Sequence, residues 1–405
     1  MAKTLDRRSF LKVAAGGAAV ATLSSRPARA QARPVRVGFT LSATGPYSVG
    51  AGITQAPNYH LWAEQVNAKG GLAVAGEGRR PVQFVQHDDR SEIETAVRLY
   101  EKLITDDKVD LVLPPWGTAM NFAVSPVASN HGHPLIAPTA TSMKLKELTL
   151  PYFYVMLAMP DSMMGALAAF LREVKRQTNY GKVGVIHVAD LFGLEQHGAL
   201  MPLLKESGFD VVESKSYPLG VKDLSDVLKG IKAKGADIFV GLTYPPDTIL
   251  AATQAKAVDF NPPIFYTSVG TAFPFFRDRF KASAEGVLGM GAWNPKVPYP
   301  GAKAYFDAHV ASQKKEPDRW ASAFAYASLQ ILEEAVGKVG LDRARIKGYL
   351  DATEFSTVVG PVKFTRGLNQ ATPGMVGQWQ KGEFEVVWPP DRSTARAVVP
   401  KPAWQ

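Results

Sequence analysis

Short β-rich runs alternate with amphipathic stretches along most of this 405-residue chain, and the alternation occurs twice. In the first half, runs at 35–40, 82–86, 110–113 and 134–137 read as strands. Between them lie a helix ending near 68, a helix from Glu92 to about 105 capped by Ser91, and a helix that Thr118 opens and that runs to about 130. In the second half, strands are expected at 182–187, 210–214, 237–241 and 264–267, with helices within 193–207, 223–233 and 247–258. A strand that returns parallel to its predecessor needs a crossover, usually helical, and such crossovers cover both faces of the sheet. The expected fold is α/β, with two doubly wound parallel-sheet halves. After about 286 the pattern changes to helices at 302–313 and 320–339. It ends in β-like stretches at 360–364, 376–380 and 384–388, with Lys381 and Gly382 as a turn. No Pro/Ser-rich tether separates the halves, which implies several short crossings.

The N-terminus has a different character. Arg7 and Arg8 precede an apolar stretch at 13–23, and Ala28 and Ala30 put small residues at a cleavage position. This is the layout of an export signal over 1–30, cleaved and of the twin-arginine type, although Asp6 stands where Ser or Thr is usual. About 11 apolar residues are too few for the ~20 that span a bilayer. The signal also explains most of the formal charge of +9, because it holds six basic residues against one acid and leaves the remainder at +4. A mature chain of that charge, without basic runs interleaved with aromatics, gives no case for nucleic acid or a membrane surface. The chain has no cysteine. That excludes disulfides, thiolate metal sites, a cysteine nucleophile and a lipid anchor at the cleavage point. The expected product is a soluble periplasmic protein.

Ligands of open α/β sheets bind beyond the carboxyl ends of the strands. Those ends read 42–47 (SATGPY), 114–118 (PPWGT) and 137–142 (APTATS) in the first half. In the second they read 189–193 (ADLFG), 242–245 (LTYP) and 267–270 (TSVG). The inventory is hydroxyls, glycines and rings. Thr118 stands at a helix start, where free N–H groups attract an anion by roughly 0.3–1 kcal/mol, up to ~2 when partly buried. Thr139 and Thr141 add hydroxyls and amides from the next strand end, each bond to a charged oxygen being worth roughly 1.5–3 kcal/mol. The three form a carboxylate clamp without arginine, or else they cap helices and turns. Trp116, Tyr47, Phe192 and Tyr244 are large rings that either wall an apolar ligand tail or pack one half against the other. Ser268 completes the set of candidate ligand-binding residues.

Catalytic patterns are missing. There is no Gly-x-Ser-x-Gly elbow, no His-Glu-x-x-His, no Gly-x-Gly-x-x-Gly after the first strand and no phosphate loop. His131 and His133 read as surface or supporting residues before metal ligands. Asp88 and Asp89 read as acceptors for loop amides and a helix start. No enzyme, cofactor or metal is expected.

Five segments in order carry a family resemblance: 37–47 (VGFTLSATGPY), 62–72 (WAEQVNAKGGL), 87–89 (HDD), 134–141 (PLIAPTAT) and 360–364 (GPVKF). Together they resemble the leucine/isoleucine/valine-binding type of periplasmic solute-binding protein, the capture subunit of an ABC importer. The resemblance spans nearly the whole mature chain. It implies two lobes joined by three crossings, drawn here at 31–155 with 286–372 and at 156–285 with 373–405. It implies a ligand held between the lobes by hinge closure. By position, Thr118 matches the family's hydroxyl for the ligand α-carboxylate, Thr139 and Thr141 match further donors to it, and Phe192 and Tyr244 match rings on the second lobe. The partner implied is an inner-membrane permease, and a monomer is expected.

One departure stands out. The family's amino-acid binders pair the ligand ammonium with an acid in the stretch matching 267–270, where this chain has Val269 and no Asp or Glu between 259 and 278. A buried ammonium without a carboxylate costs several kcal/mol. Either Asp190, Glu195 or Asp247 reaches in, or the ligand lacks an ammonium. The expected ligand is a small carboxylate: an aromatic or 2-oxo acid, with a branched-chain or hydrophobic amino acid as the competitor. The alternative function is a periplasmic sensor of the same fold that signals to a membrane receptor.

Overall fold

Cover on both faces explains why the central strands are buried almost throughout. Strand Val35–Leu41 is buried everywhere except at Arg36, and strands Ile238–Leu242 and Ile264–Thr267 are wholly buried. Continuous burial of this kind belongs to parallel strands with helices above and below. The computed structural model describes residues 33–405 apart from Ala292. The expected signal lies outside the described residues.

In the first lobe Val35–Leu41 pairs in parallel with Val82–Asp88 on one side and Leu111–Val112 on the other. Leu135–Ala137 and Phe153–Val155 pair in parallel and continue through Leu368–Asn369 to the antiparallel strands Gly360–Thr365 and Glu354–Thr357. The second lobe is a seven-stranded sheet. Its order is Glu383–Trp388, Val376–Gln380, Leu288–Met290, Ile264–Thr267, Ile238–Leu242, Lys182–Val188 and Asp210–Tyr217. The strand order reverses at Lys182–Val188, and it reverses likewise at Val35–Leu41 in the first lobe. Each reversal opens a crevice at the strands' carboxyl ends. These two crevices hold the residues discussed below.

The chain passes between the lobes three times. It leaves Phe153–Val155 for helix Pro160–Gln177, leaves Leu288–Met290 for helix Ala302–Gln313, and runs from Leu368–Asn369 to Val376–Gln380. Strand Leu288–Met290 falls in the first lobe under the boundary at 286. It pairs instead with Ile264–Thr267 and Val376–Gln380 in the second sheet. Three residues among glycines carry too little pattern to declare their sheet. Helices Pro160–Gln177 and Arg343–Ala352 and the hairpin of Leu72–Val74 with Gly78–Arg80 were not legible as elements either.

Ser91 also departs from expectation. Helix Ile93–Thr105 has Glu92 at its N-cap, while Ser91 lies in left-handed backbone at φ 62°. Its hydroxyl donates to the Thr44 carbonyl at 2.7 Å and accepts the Tyr47 N–H at 3.1 Å. The serine thus fastens the loop that carries Tyr47. Asp89 helps from below, accepting the hydroxyls of Thr40 at 2.7 Å and Ser42 at 2.6 Å. Asp88 accepts the Ala43 and Arg90 N–H groups and the Thr44 hydroxyl.

Helix Leu191–Glu206 begins hard against the strand before it. The Gly193 N–H donates to the Asp190 carboxylate at 2.9 Å, and a methyl group at Gly193 would stand 1.9 Å from the Val188 carbonyl oxygen. Only glycine fits that approach. Gly193→Ala is expected to lower the melting temperature by several degrees, in line with the roughly 1–3 kcal/mol of overpacked sites. A wild-type melting temperature in that variant would show that the helix start shifts freely.

Candidate functional site

The first-lobe crevice is built by two strand ends. Helix Thr118–Asn130 starts after Gly117, whose φ of 94° turns the chain out of the sheet. The Thr118 hydroxyl donates to the Thr141 carbonyl at 3.3 Å and accepts the Thr141 N–H at 3.3 Å. Thr139 Oγ1 accepts the Gly117 N–H at 3.1 Å, and the Thr141 hydroxyl donates to the Ala158 carbonyl at 2.8 Å. All three threonines are buried and within reach of one another at one helix N-terminus. Asn121 steadies the turn by donating to the carbonyls of Pro115 at 2.7 Å and Gly117 at 2.8 Å. The cluster is rich in hydroxyls and amides and contains no cation, so it suits an anion small enough to sit on neutral donors.

The four rings converge. Trp116 lies 5.6 Å from Tyr47 and 5.4 Å from Tyr244, centroid to centroid. Tyr47 meets Tyr244 at 5.4 Å, and Phe192 stacks on Tyr244 at 5.2 Å with the planes 26° apart. All four are buried. Tyr47 and Trp116 come from the first lobe, and Phe192 and Tyr244 from the second. Three of them sit at helix starts: Tyr47 precedes Ser48–Gly50, Tyr244 precedes Pro245–Ala257, and Phe192 is the second residue of Leu191–Glu206. The strand-end rule therefore locates them, although the sequence reads them as loop residues.

Acids also reach this junction. Asp190 accepts the hydroxyl of Tyr244 at 2.7 Å and that of Tyr47, from the other lobe, at 3.4 Å. Burial pushes its carboxyl up, and the bonds from the Gly193 N–H and the two tyrosines pull the other way. Burial also pushes both tyrosine hydroxyls up, with the charge of Asp190 adding to it. Both therefore remain donors at neutral pH. Asp247 lies one layer back, accepting the Tyr217 hydroxyl at 3.3 Å and the Tyr244 N–H at 3.4 Å, and burial raises it to about 6. Glu195 accepts the Met143 N–H at 3.0 Å and ties helix Leu191–Glu206 to helix Met143–Glu147 of the first lobe.

Ser268 is occupied within its own lobe. Its hydroxyl donates to the Thr243 carbonyl at 2.9 Å and accepts the Thr243 N–H at 2.8 Å, clasping two strand ends. Val269 is fully buried, and its carbonyl accepts the Thr248 hydroxyl at 2.6 Å. The histidines lie elsewhere. His131 pairs with Glu101 at 2.9 Å, and the buried His133 is lowered to about 3 by desolvation first, then by the charges of Arg343 and His131. Among the described residues no group of three or more His, Asp or Glu is placed to hold a metal.

Sequence reasoning missed Trp320. Its ring lies 6.0 Å from Trp116 and 6.5 Å from Phe273. Asp318 sets it there: this fully buried carboxylate accepts the N–H groups of Trp320 at 2.8 Å and Ala321 at 2.7 Å, and the Thr54 hydroxyl at 2.9 Å. Gly50 was missed too. A methyl group there would lie 2.2 Å from the Trp116 ring, so the indole rests on bare backbone. No local pattern announces either contact, because both join residues far apart in the chain.

A family model described as periplasmic binding protein matches residues 34–383. The chain belongs to the periplasmic binding protein family. Among relatives, the Leu/Ile/Val-binding protein homolog 7 of Brucella abortus is 24% identical over 387 residues, covering 91% of this chain and 95% of the relative. The Leu/Ile/Val/Thr-binding protein of Salmonella typhimurium is 27% identical over 303 residues, covering 74% of this chain and 78% of the relative. The fold also matches solved structures. LivJ, the branched-chain amino acid transporter substrate-binding protein of Streptococcus pneumoniae, in complex with isoleucine, gives a TM-score of 0.76 at 22% identity, covering 91% of this chain and 100% of that one. An ABC transporter solute-binding protein of R. palustris in complex with benzoate gives 0.76 at 18% identity, covering 90% and 97%. This is a family of binding proteins, not of enzymes. No helix among the described residues is long and apolar enough to cross a membrane.

Asp247 yields a pH test. Its carboxyl titrates at about 6 in the fold against an ordinary 3.8. A raised carboxyl holds its proton longer when folded, so its contribution is most favourable below about 4 and is lost as pH rises to about 6. Asp247→Asn keeps an acceptor oxygen and removes the charge. The melting temperature of the wild type relative to this variant is expected to fall between pH 4 and 6 and to level off above. A difference independent of pH overturns the assignment.

Proposed function

We propose that this protein is the soluble periplasmic capture subunit of an ABC importer and that its cargo is a small carboxylate with an apolar or aromatic tail. The observation that carries the reading is the meeting of Thr118, Thr139 and Thr141 at one helix N-terminus, beside rings drawn from both lobes. The threonine cluster takes the carboxylate, and Tyr47, Trp116, Phe192 and Tyr244 close over the tail. Ser268 supports this indirectly, by holding the second-lobe strand ends together. The two fold neighbours accord with the chemistry, since isoleucine and benzoate share a carboxylate and an apolar body. Binding of this kind needs only preformed donors, an apolar wall and closure, and no reactive group. The partner is a membrane permease that docks the closed lobes. The working form is a monomer, exported by its signal and free of a lipid anchor, with lobes divided near the three crossings.

A second reading rests on Asp190. Its carboxylate sits among the rings and faces the first lobe through Tyr47, so an amino acid's ammonium has a partner there although Val269 offers none. Paired ligands separate the two: leucine against 4-methyl-2-oxopentanoate, and phenylalanine against phenylpyruvate, each read as a melting shift. Larger shifts with the oxo acids support the first reading, and larger shifts with the amino acids move the assignment to Asp190.

Thr118→Val combined with Thr141→Val tests the clamp. Loss of two donors to a charged oxygen is expected to weaken binding of whichever acid binds the wild type by roughly 100-fold or more, with the unliganded melting temperature as the control for folding. Undiminished affinity in the double variant would falsify the clamp.

A further inference from the structure

The tryptophans of this protein divide sharply. Four of the seven indoles donate to a protein acceptor. Trp62 reaches Glu333 at 3.0 Å, Trp293 the Val358 carbonyl at 2.9 Å, Trp379 the Thr271 carbonyl at 2.6 Å and Trp404 the Phe260 carbonyl at 2.8 Å. Trp388 is only partly buried. The remaining two, Trp116 and Trp320, have Nε1 atoms that are buried without a hydrogen-bond partner. Their rings are 0% and 2% exposed. They are also the two that touch each other, at 6.0 Å, and both lie against the ring cluster of the cleft.

A buried donor left without an acceptor is costly, and proteins avoid it almost everywhere. Two such donors side by side, in a molecule whose other buried indoles are all satisfied, mark a place where the acceptor comes from outside the chain. Their positions fit that role. Trp116 follows the strand end that leads into the threonine cluster, two residues before Thr118. Trp320 belongs to a segment shared by the lobes: the Arg319 N–H donates to the Ala272 carbonyl of the second lobe at 2.9 Å, while Asp318 binds Thr54 of the first. Both rings are held firmly, one on Gly50 and one by Asp318. An indole N–H can only donate. Its partner must be an oxygen or another acceptor, and an ammonium in that place would be repelled.

We infer that Trp116 and Trp320 form a second polar reading head, which selects a carboxylate bearing an additional oxygen acceptor, such as a keto, ether or second carboxylate oxygen, on its otherwise apolar tail. This rests on the carboxylate reading above and narrows it from any apolar acid to an oxygen-substituted one. It also makes these indoles determinants of specificity in addition to apolar walls.

Two near-isosteric ligand pairs test the inference by calorimetry: 4-oxopentanoate against 4-methylpentanoate, and 4-acetylbenzoate against 4-isopropylbenzoate. In each pair an oxo oxygen replaces a methyl group. The wild type is expected to bind at least one oxo acid about tenfold more tightly than its alkyl partner, the scale of one buried hydrogen bond made or left unmade. Trp116→Phe and Trp320→Phe keep a ring and remove the N–H. Each is expected to erase that preference, read as the ratio of oxo-acid to alkyl-acid affinity within each pair, whatever the change in either affinity alone. Should a variant fail to fold, the wild-type comparison decides alone. If the acids bind but oxo and alkyl partners bind equally, the second reading head is overturned and the carboxylate clamp stands. If none of the four acids binds while one of the amino or 2-oxo acids above does, this inference fails alone; if no acid of either set binds, the carboxylate reading fails and takes this inference with it.

Discussion

The two lobes meet around one carboxylate. Asp190 uses one oxygen to start helix Leu191–Glu206 and the other to accept the Tyr244 hydroxyl from its own lobe and that of Tyr47 from the other. Its burial keeps water from competing for these bonds, and the same burial raises its pKa. The ring cluster is aligned by these hydroxyls: Tyr47 and Tyr244 cannot turn freely while bonded to Asp190, and Trp116 packs against both. Gly193 makes the arrangement possible by letting the helix begin where the strand stops. A single glycine-dependent turn therefore sets the position of an acid, two phenols and an indole.

Much of this was open to inspection in the residues themselves. Runs such as 35–40 and 237–241 are mostly apolar because helices cover both faces, and the turn residues after them mark strand ends. Thr118, Thr139, Thr141, Tyr47, Trp116, Phe192 and Tyr244 all lie in the segments that follow such strand ends. Contacts between distant segments were not legible. Ser91 looked like a helix cap because it precedes an amphipathic run, yet its hydroxyl serves a loop more than forty residues away in the chain. Trp320 looked like the first turn of a helix. Its value lies in Asp318 and Trp116, which no spacing rule connects to it. Leu288–Met290 was too short to show its sheet.

The site's economy with charge has a physical basis. A cationic side chain in the first-lobe crevice would bind a carboxylate more strongly, but its burial would be costly whenever the ligand was away. Hydroxyls and a helix N-terminus avoid that cost, because Thr118 and Thr141 satisfy each other across the strand ends. The second lobe differs, with Asp190 and Asp247 buried and raised. Asp190 itself sits among the rings, bonded to Tyr47 of the first lobe and Tyr244 of the second.

Three chain crossings at one margin have a mechanical consequence. A single tether would let the lobes twist, slide and separate. Three covalent spans, between Val155 and Pro160, Met290 and Ala302, and Asn369 and Val376, bind the halves like a spine. Sliding one half past the other would strain all three spans at once, whereas a tilt about that margin would strain them least. Trp320, which sits beside the spine, and Thr118 belong to the same half, so their spacing is fixed within one lobe, while Phe192 and Tyr244 are carried by the other.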